Sequence, residues 1–175
     1  MRPAICSADS GLVAAADVHY PASGGARAAA VLAANATFSP VLGERVVAVD
    51  EVLPYQPGAF YLRELPPLLA VLAGEDELRL VVVDGYADLD RRGRPGLGAR
   101  LHDELGIPVI GVAKSAYRTA THAIPVLRGA SSRPLFVTAA GLARDEAADL
   151  ILNMAGSYRV PDALRRADAL ARTSC

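Results

Sequence analysis

The chain has 175 residues, 52% hydrophobic and 21% charged, and its 18 basic and 19 acidic side chains leave a formal net charge of −1. This suits a single domain over residues 1–175 with a real core. It argues against a grip on nucleic acid through overall basicity, and no apolar run approaches the roughly 18 residues of a membrane span.

In chain order, "LVAAADVHY" (12–20) predicts a buried strand ending in polar residues, and "PASGG" (21–25) a turn. "ARAAAVLAA" (26–34) is ambiguous, because alanine favours helix. The short turn before it and "ERVVAVDEVL" (44–53) after it favour a strand meander. In "PYQPGAFYLRE" (54–64), Tyr55 stands between Pro54 and Pro57, and Arg63 stands beside Glu64. "RELPPLLAVLAG" (63–74) predicts a helix, with Pro66 and Pro67 tolerated only in its first turn. "LRLVVVDGY" (78–86) is a continuous β-branched run, as in a strand buried on both faces. A polar loop (88–96), a helix (97–106) and a second buried strand, "PVIGVAK" (108–114), follow. Residues 115–134 hold a short hairpin around "RGASS", then come a strand (135–141) and helices at 143–156 and 161–172. Strands first and then alternating α and β predict an α/β fold. The two cysteines, Cys6 and Cys175, make no disulfide framework. With no N-terminal basic region leading into an apolar run, they point to a reducing, cytoplasmic setting. A monomer is the simplest expectation.

Three acids stand out by position. Asp17 lies near the end of the first strand, Asp84 ends the most buried one, and Glu64 opens the helix after the proline-flanked turn. Acids at the ends of apolar strands converge at one edge of a sheet, where their oxygens suit a hard divalent ion that can promote phosphate chemistry. The plain alternative is that Asp17 and Asp84 cap neighbouring turns, Asp-Gly being a turn signal in its own right. Lys114, also at a strand end, can neutralise a phosphate or simply be a solvated lysine. Tyr55 on its own reads first as a loop aromatic packing over the core edge.

Taken in order from about residue 13 to 171, these segments resemble the endonuclease V family. "AAADVHY" resembles its first strand with a metal-binding aspartate, and "PYQPGAFYLRE" its wedge followed by Arg-Glu. "LVVVDGY", "GRPGLGARLHDELGIPVIGVAKS", "RPLFVTAAG" and "YRVPDALRRADALA" match its later segments. The resemblance implies a ribonuclease H-like α/β fold, a mixed sheet flanked by helices. It implies Mg²⁺-dependent cutting of DNA or RNA 3′ to hypoxanthine, in repair, with Mn²⁺ as a substitute. By motif, Asp17 and Asp84 would be metal ligands, Glu64 would hold the ion or orient water, and Lys114 would stabilise the phosphate. Pro54, Tyr55 and Pro57 would form the wedge that fills the space left by a flipped base, an event that costs a few kcal/mol of unstacking. Arg63 would position the acids or the backbone, and Gly85 and Tyr86 would lie by the flipped base.

The chain departs from the family in three places. Gly141 takes the place of a histidine expected near the metal, only the residues before Leu12 stand where the family carries a helix, and "DGHG" becomes "DGYA" with Tyr86 and Ala87. His19, two residues from Asp17 and so on the same strand face, could replace the lost ligand, as could His122, while His102 reads as exposed. Arg91, Arg92, Arg94, Arg128 and Arg133 could form a local basic rim or be solvated loop charge. The departures leave two alternatives: a catalytically impaired nucleic-acid binder, or a phosphodiesterase with altered base specificity.

Overall fold

The alanine-rich run at 26–34 is a strand, and the reason is its neighbours. In the computed structural model, which describes residues 11–173, β1 (Leu12–His19), β2 (Ala26–Ala33) and β3 (Val41–Val49) form an antiparallel meander. β2 lies between the other two, so ladder hydrogen bonds on both sides override alanine's modest helix preference. Cys6 and Cys175 lie outside the described residues, as does most of the segment ahead of β1.

The chain continues through α1 (Tyr61–Leu72), β4 (Leu78–Asp84), α2 (Leu97–Leu105), β5 (Val109–Ala113), β6 (Ile124–Val126), β7 (Leu135–Ala140), α3 (Arg144–Asn153) and α4 (Asp162–Arg172). The sheet order is β3-β2-β1-β4-β5-β7-β6. β4 runs parallel to both β1 and β5, so all three strands end at the same edge. β6 and β7 pair antiparallel around residues 127–134, which makes the hairpin expected around "RGASS".

Side chains alternate across the sheet and feed two cores. Val13, Ala15, Val82, Ile110 and Val112 pack with α3 and α4 on one face. Ala14, Ala16, Val81, Val83 and Val109 pack with α1 and α2 on the other. In α4, Ala163, Ala167 and Ala171 recur every fourth residue, and all are buried. This row of small side chains lets the helix lie close against β1 and β2.

Three local expectations change. Pro66 and Pro67 sit inside α1 rather than in its first turn. The helix begins earlier than expected, because Leu62 N–H bonds the Ala59 carbonyl and Arg63 N–H the Phe60 carbonyl, so a turn is built before the prolines arrive. α3 stops at Asn153 instead of reaching 156. Beyond it Arg128, only 5% exposed, donates to the carbonyls of Met154, Gly156 and Tyr158. Arg128 is therefore an internal strut and not part of a basic rim. His102 is partly buried and its Nδ1 lies 2.7 Å from the Ile107 carbonyl, so it is not a free surface histidine.

Candidate active site

Asp17, Asp84 and Lys114 share the strand parity that faces α3 and α4. Ala16 lies beside Val83, and Asp84 beside Val112. Asp84 thus closes β4, Asp17 stands on the neighbouring parallel strand two residues before its end, and Lys114 directly follows β5. Lys114 Nζ donates to the Asp84 carboxylate. Glu64 arrives from the first turn of α1. Beyond Asp84 the chain leaves the sheet and crosses β5 at Gly111, where a Cβ would stand 2.4 Å from the Ala87 nitrogen. Only glycine permits that approach. Ala87 N–H then donates to the buried Thr138 hydroxyl at 2.7 Å, which holds Gly85 and Tyr86 at the site.

A groove of about 590 Å³ opens at this edge, within the usual range for ligand sites. Asp17, Glu64, Asp84 and Asp168 form one side, with Lys114 and Arg172 near them, and Tyr55, Phe60, Tyr61, Tyr86 and Tyr117 supply aromatic surface. Tyr55 is 60% exposed and meets Phe60 edge-on, with ring centres 6.1 Å apart. The Tyr86 hydroxyl donates to the Ser115 carbonyl at 2.8 Å and accepts from Tyr117 N–H at 2.9 Å.

The electrostatics are those of crowded acids. Burial, then repulsion from Asp84 and Asp168, raises the Asp17 carboxyl to about 7 against the pull of Val18 N–H and Lys114. Burial, then repulsion from Asp17 and Asp84, raises Glu64 to about 8, with Arg63 opposing. Burial lowers the affinity of Lys114 for its proton, but the hydrogen bond and charge of Asp84 outweigh it and the net shift is upward. All four acids offer oxygen donors, the type hard divalent ions take, and neither a thiol nor an imidazole lines this groove among the described residues. No group of three His, Cys, Asp or Glu side chains is assembled among the described residues to hold a metal as it stands. Asp84 is engaged by Lys114, and Asp168 accepts from Arg172 at 2.7 Å.

The remaining expected residues divide. Pro54 and Pro57 flank Tyr55 on the exposed loop. The Arg63 guanidinium stacks 3.9 Å over the Tyr20 ring, and its charge opposes the upward shift of Glu64. His19 does not line the groove, and the His122 side chain is tucked in, 4% exposed, with its Nε2 2.9 Å from Asp88. Gly141 is not at the site. β7 runs antiparallel to β5, pairing Ala140 with Val109, so Gly141 lies at the opposite end of the sheet from Lys114. A side chain there would collide with His102, 2.6 Å away. Arg91 and Arg94 are tied to Thr121 and Thr119.

Sequence reasoning missed Asp168. Its one signal is that it directly follows Ala167 and so flanks the buried alanine row of α4; the seating of that helix on β1 and β2 is what brings it to the acids.

The endonuclease V family profile matches residues 4–133. An endonuclease V from Azotobacter vinelandii is 34% identical over 93% of this chain and 83% of its own length. The crystal structure of endonuclease V from Streptomyces avermitilis superposes with a TM-score of 0.75 at 32% identity, covering 93% of this chain and 80% of that one. A Ciona intestinalis endonuclease V variant in complex with DNA containing an inosine followed by a ribo-adenosine shares the fold, with a TM-score of 0.79 at 20% identity over 94% of this chain and 85% of that one. With a ribonuclease H-like mixed sheet, a profile match over most of its length and these relatives, the chain belongs to the endonuclease V family.

Proposed function

We propose that this protein is a divalent-metal-dependent endonuclease that cuts DNA or RNA on the 3′ side of a deaminated base such as hypoxanthine, serving nucleic-acid repair. The observation that carries the reading is one groove with four carboxylates and a lysine beside aromatic surface. Asp17, Asp84 and Glu64 would hold Mg²⁺, or Mn²⁺ in its place, with Asp84 turning away from Lys114. The cation, when bound, supplies positive charge against the phosphate and acidifies water.

The chain's own groups do the rest. With a cation bound, its charge would offset the repulsion from Asp17 and Asp84 that raises Glu64, leaving this carboxylate ionised to orient the attacking water and take its proton. As the water oxygen bonds to phosphorus, the bond from phosphorus to the ester oxygen opposite breaks, and that oxygen leaves with the electron pair and takes up a proton from solvent. Lys114, freed from Asp84, supports the charge that builds on the phosphate. Tyr55, braced by the fixed backbone angles of Pro54 and Pro57, stacks into the gap that the extruded nucleotide leaves. Gly85, Tyr86 and Tyr117 border the space for the base. Arg63 tempers the charge of Glu64.

An inosine-containing oligonucleotide incubated with Mg²⁺ should be cut by the wild type and not by Asp84→Ala. Equal inertness of the two, with binding retained, would sink the nuclease reading. Tyr86, which lines the groove with its hydroxyl fixed to the backbone of Ser115 and Tyr117, favours a second reading, a phosphodiesterase with altered base preference. Cutting of another modified base in preference to inosine would support that one.

A further inference from the structure

A second groove, of about 530 Å³, adjoins the first, and Lys114 and Asp168 line both. Beyond these two residues its chemistry changes from acidic to cationic and aromatic. Tyr158 is 60% exposed, and the Arg165 guanidinium lies 4.2 Å from its ring centre. Arg165 also stands 3.5 Å from Asp162. Arg159 adds charge at the wall, and its donors reach the carbonyls of Arg133, Pro134 and Lys114.

These parts are held in advance. The Tyr158 carbonyl accepts from the buried Arg128 at 2.9 Å, so the backbone under the ring is anchored from inside the protein. The Arg165 guanidinium lies against one face of the ring, and the residue remains exposed for a base to meet it. A fixed aromatic face beside cations is how proteins hold a single strand without reading its sequence. The backbone here and Arg159 tie loops together, while the Tyr158 ring itself stays 60% exposed in a groove that opens directly from the cutting edge.

We infer that this second groove binds the substrate strand on the 3′ side of the cut, with Tyr158 stacking on a base and Arg165 neutralising a phosphate. The polarity rests on the proposed function. If the deaminated base lies in the aromatic part of the first groove, 5′ to the cleaved phosphate, the strand passes the acids and leaves past Lys114 and Asp168. The ligand is then the single-stranded segment just downstream of the cut.

The test is fluorescence anisotropy in EDTA, with labelled inosine oligonucleotides of constant 5′ arm and a 3′ arm extended one nucleotide at a time. Wild-type affinity should rise about tenfold as the 3′ arm fills the groove, within the range of one base stack. Tyr158→Ala should lose that rise and Tyr158→Phe should keep it, while lengthening the 5′ arm affects all three alike. Arg165→Gln should reduce the slope of log affinity against log salt by about 0.7, one single-strand phosphate. The inference is overturned if Tyr158→Ala responds to the 3′ arm as the wild type does. It is overturned equally if Tyr158→Ala melts early and Arg165→Gln leaves the salt slope unchanged. A wild type that ignores inosine in cleavage, yet keeps a Tyr158-dependent response to the 3′ arm of a guanosine strand, sinks the base-specificity reading alone.

Discussion

Glu64→Gln gives the sharpest test of the crowded acids. In the metal-free fold, Glu64 is raised from an ordinary 4.5 to about 8. At 1.36 kcal/mol per pH unit, ionised Glu64 costs the fold up to ~5 kcal/mol. Water at the partly exposed carboxyl and the burial of the replacement amide offset much of this, leaving a gain of about 1–2 kcal/mol for the variant. The sign follows from proton counting: the folded state keeps a proton that the unfolded state has already lost, so stability present below about pH 4.5 is lost as pH rises through about 8. In EDTA, thermal melts of the two proteins should coincide near pH 4.5, and at pH 8.5 the variant should melt roughly 3–6 °C higher. Mg²⁺ at pH 8.5 should raise the wild-type melting temperature more than the variant's. Cleavage should fall by at least about a hundredfold, as for loss of an acid–base group. A variant less stable than wild type at pH 8.5 in EDTA would refute the reasoning.

Arg128→Leu should cost about 3 kcal/mol or more in urea unfolding, because it strands the carbonyls of Met154, Gly156 and Tyr158 away from a charged donor. Ala167→Leu, at a fully buried point of the α4 stripe, should destabilise by about 1–3 kcal/mol through overpacking and lower kcat by moving Asp168, read from urea melts and steady-state rates. Tyr55→Ala should leave the melting temperature unchanged, since the ring is exposed, but slow cleavage of an inosine strand about tenfold in single-turnover rates with the preference for inosine over guanosine kept, because the ring fills the gap without reading the flipped base; the size is within the worth of one stacked base.

Local pattern was enough to place the strands. The runs in β4 and β5, the turn before β2 and the C-terminal Gly106, which takes the left-handed turn after α2, express their structure through nearest neighbours, so each was legible in the letters. The strand-end positions of Asp17, Asp84 and Lys114 could be read the same way, and Glu64 from its place in a motif. What a residue faces depends on pairings distant in sequence. Asp168 joined the acids only because a stripe of alanines seats α4 on β1 and β2, and Arg128 proved internal only because the chain end of α3 folds over it. The antiparallel course of β7 alone carried Gly141 to the opposite end of the sheet, where no motif comparison could have put it. Sequence by itself determined the elements and the chemical types at their ends, because those follow from short-range periodicity and turn chemistry. The tertiary structure decided which of those groups meet, because strand direction and helix seating are set by burial summed over the whole core.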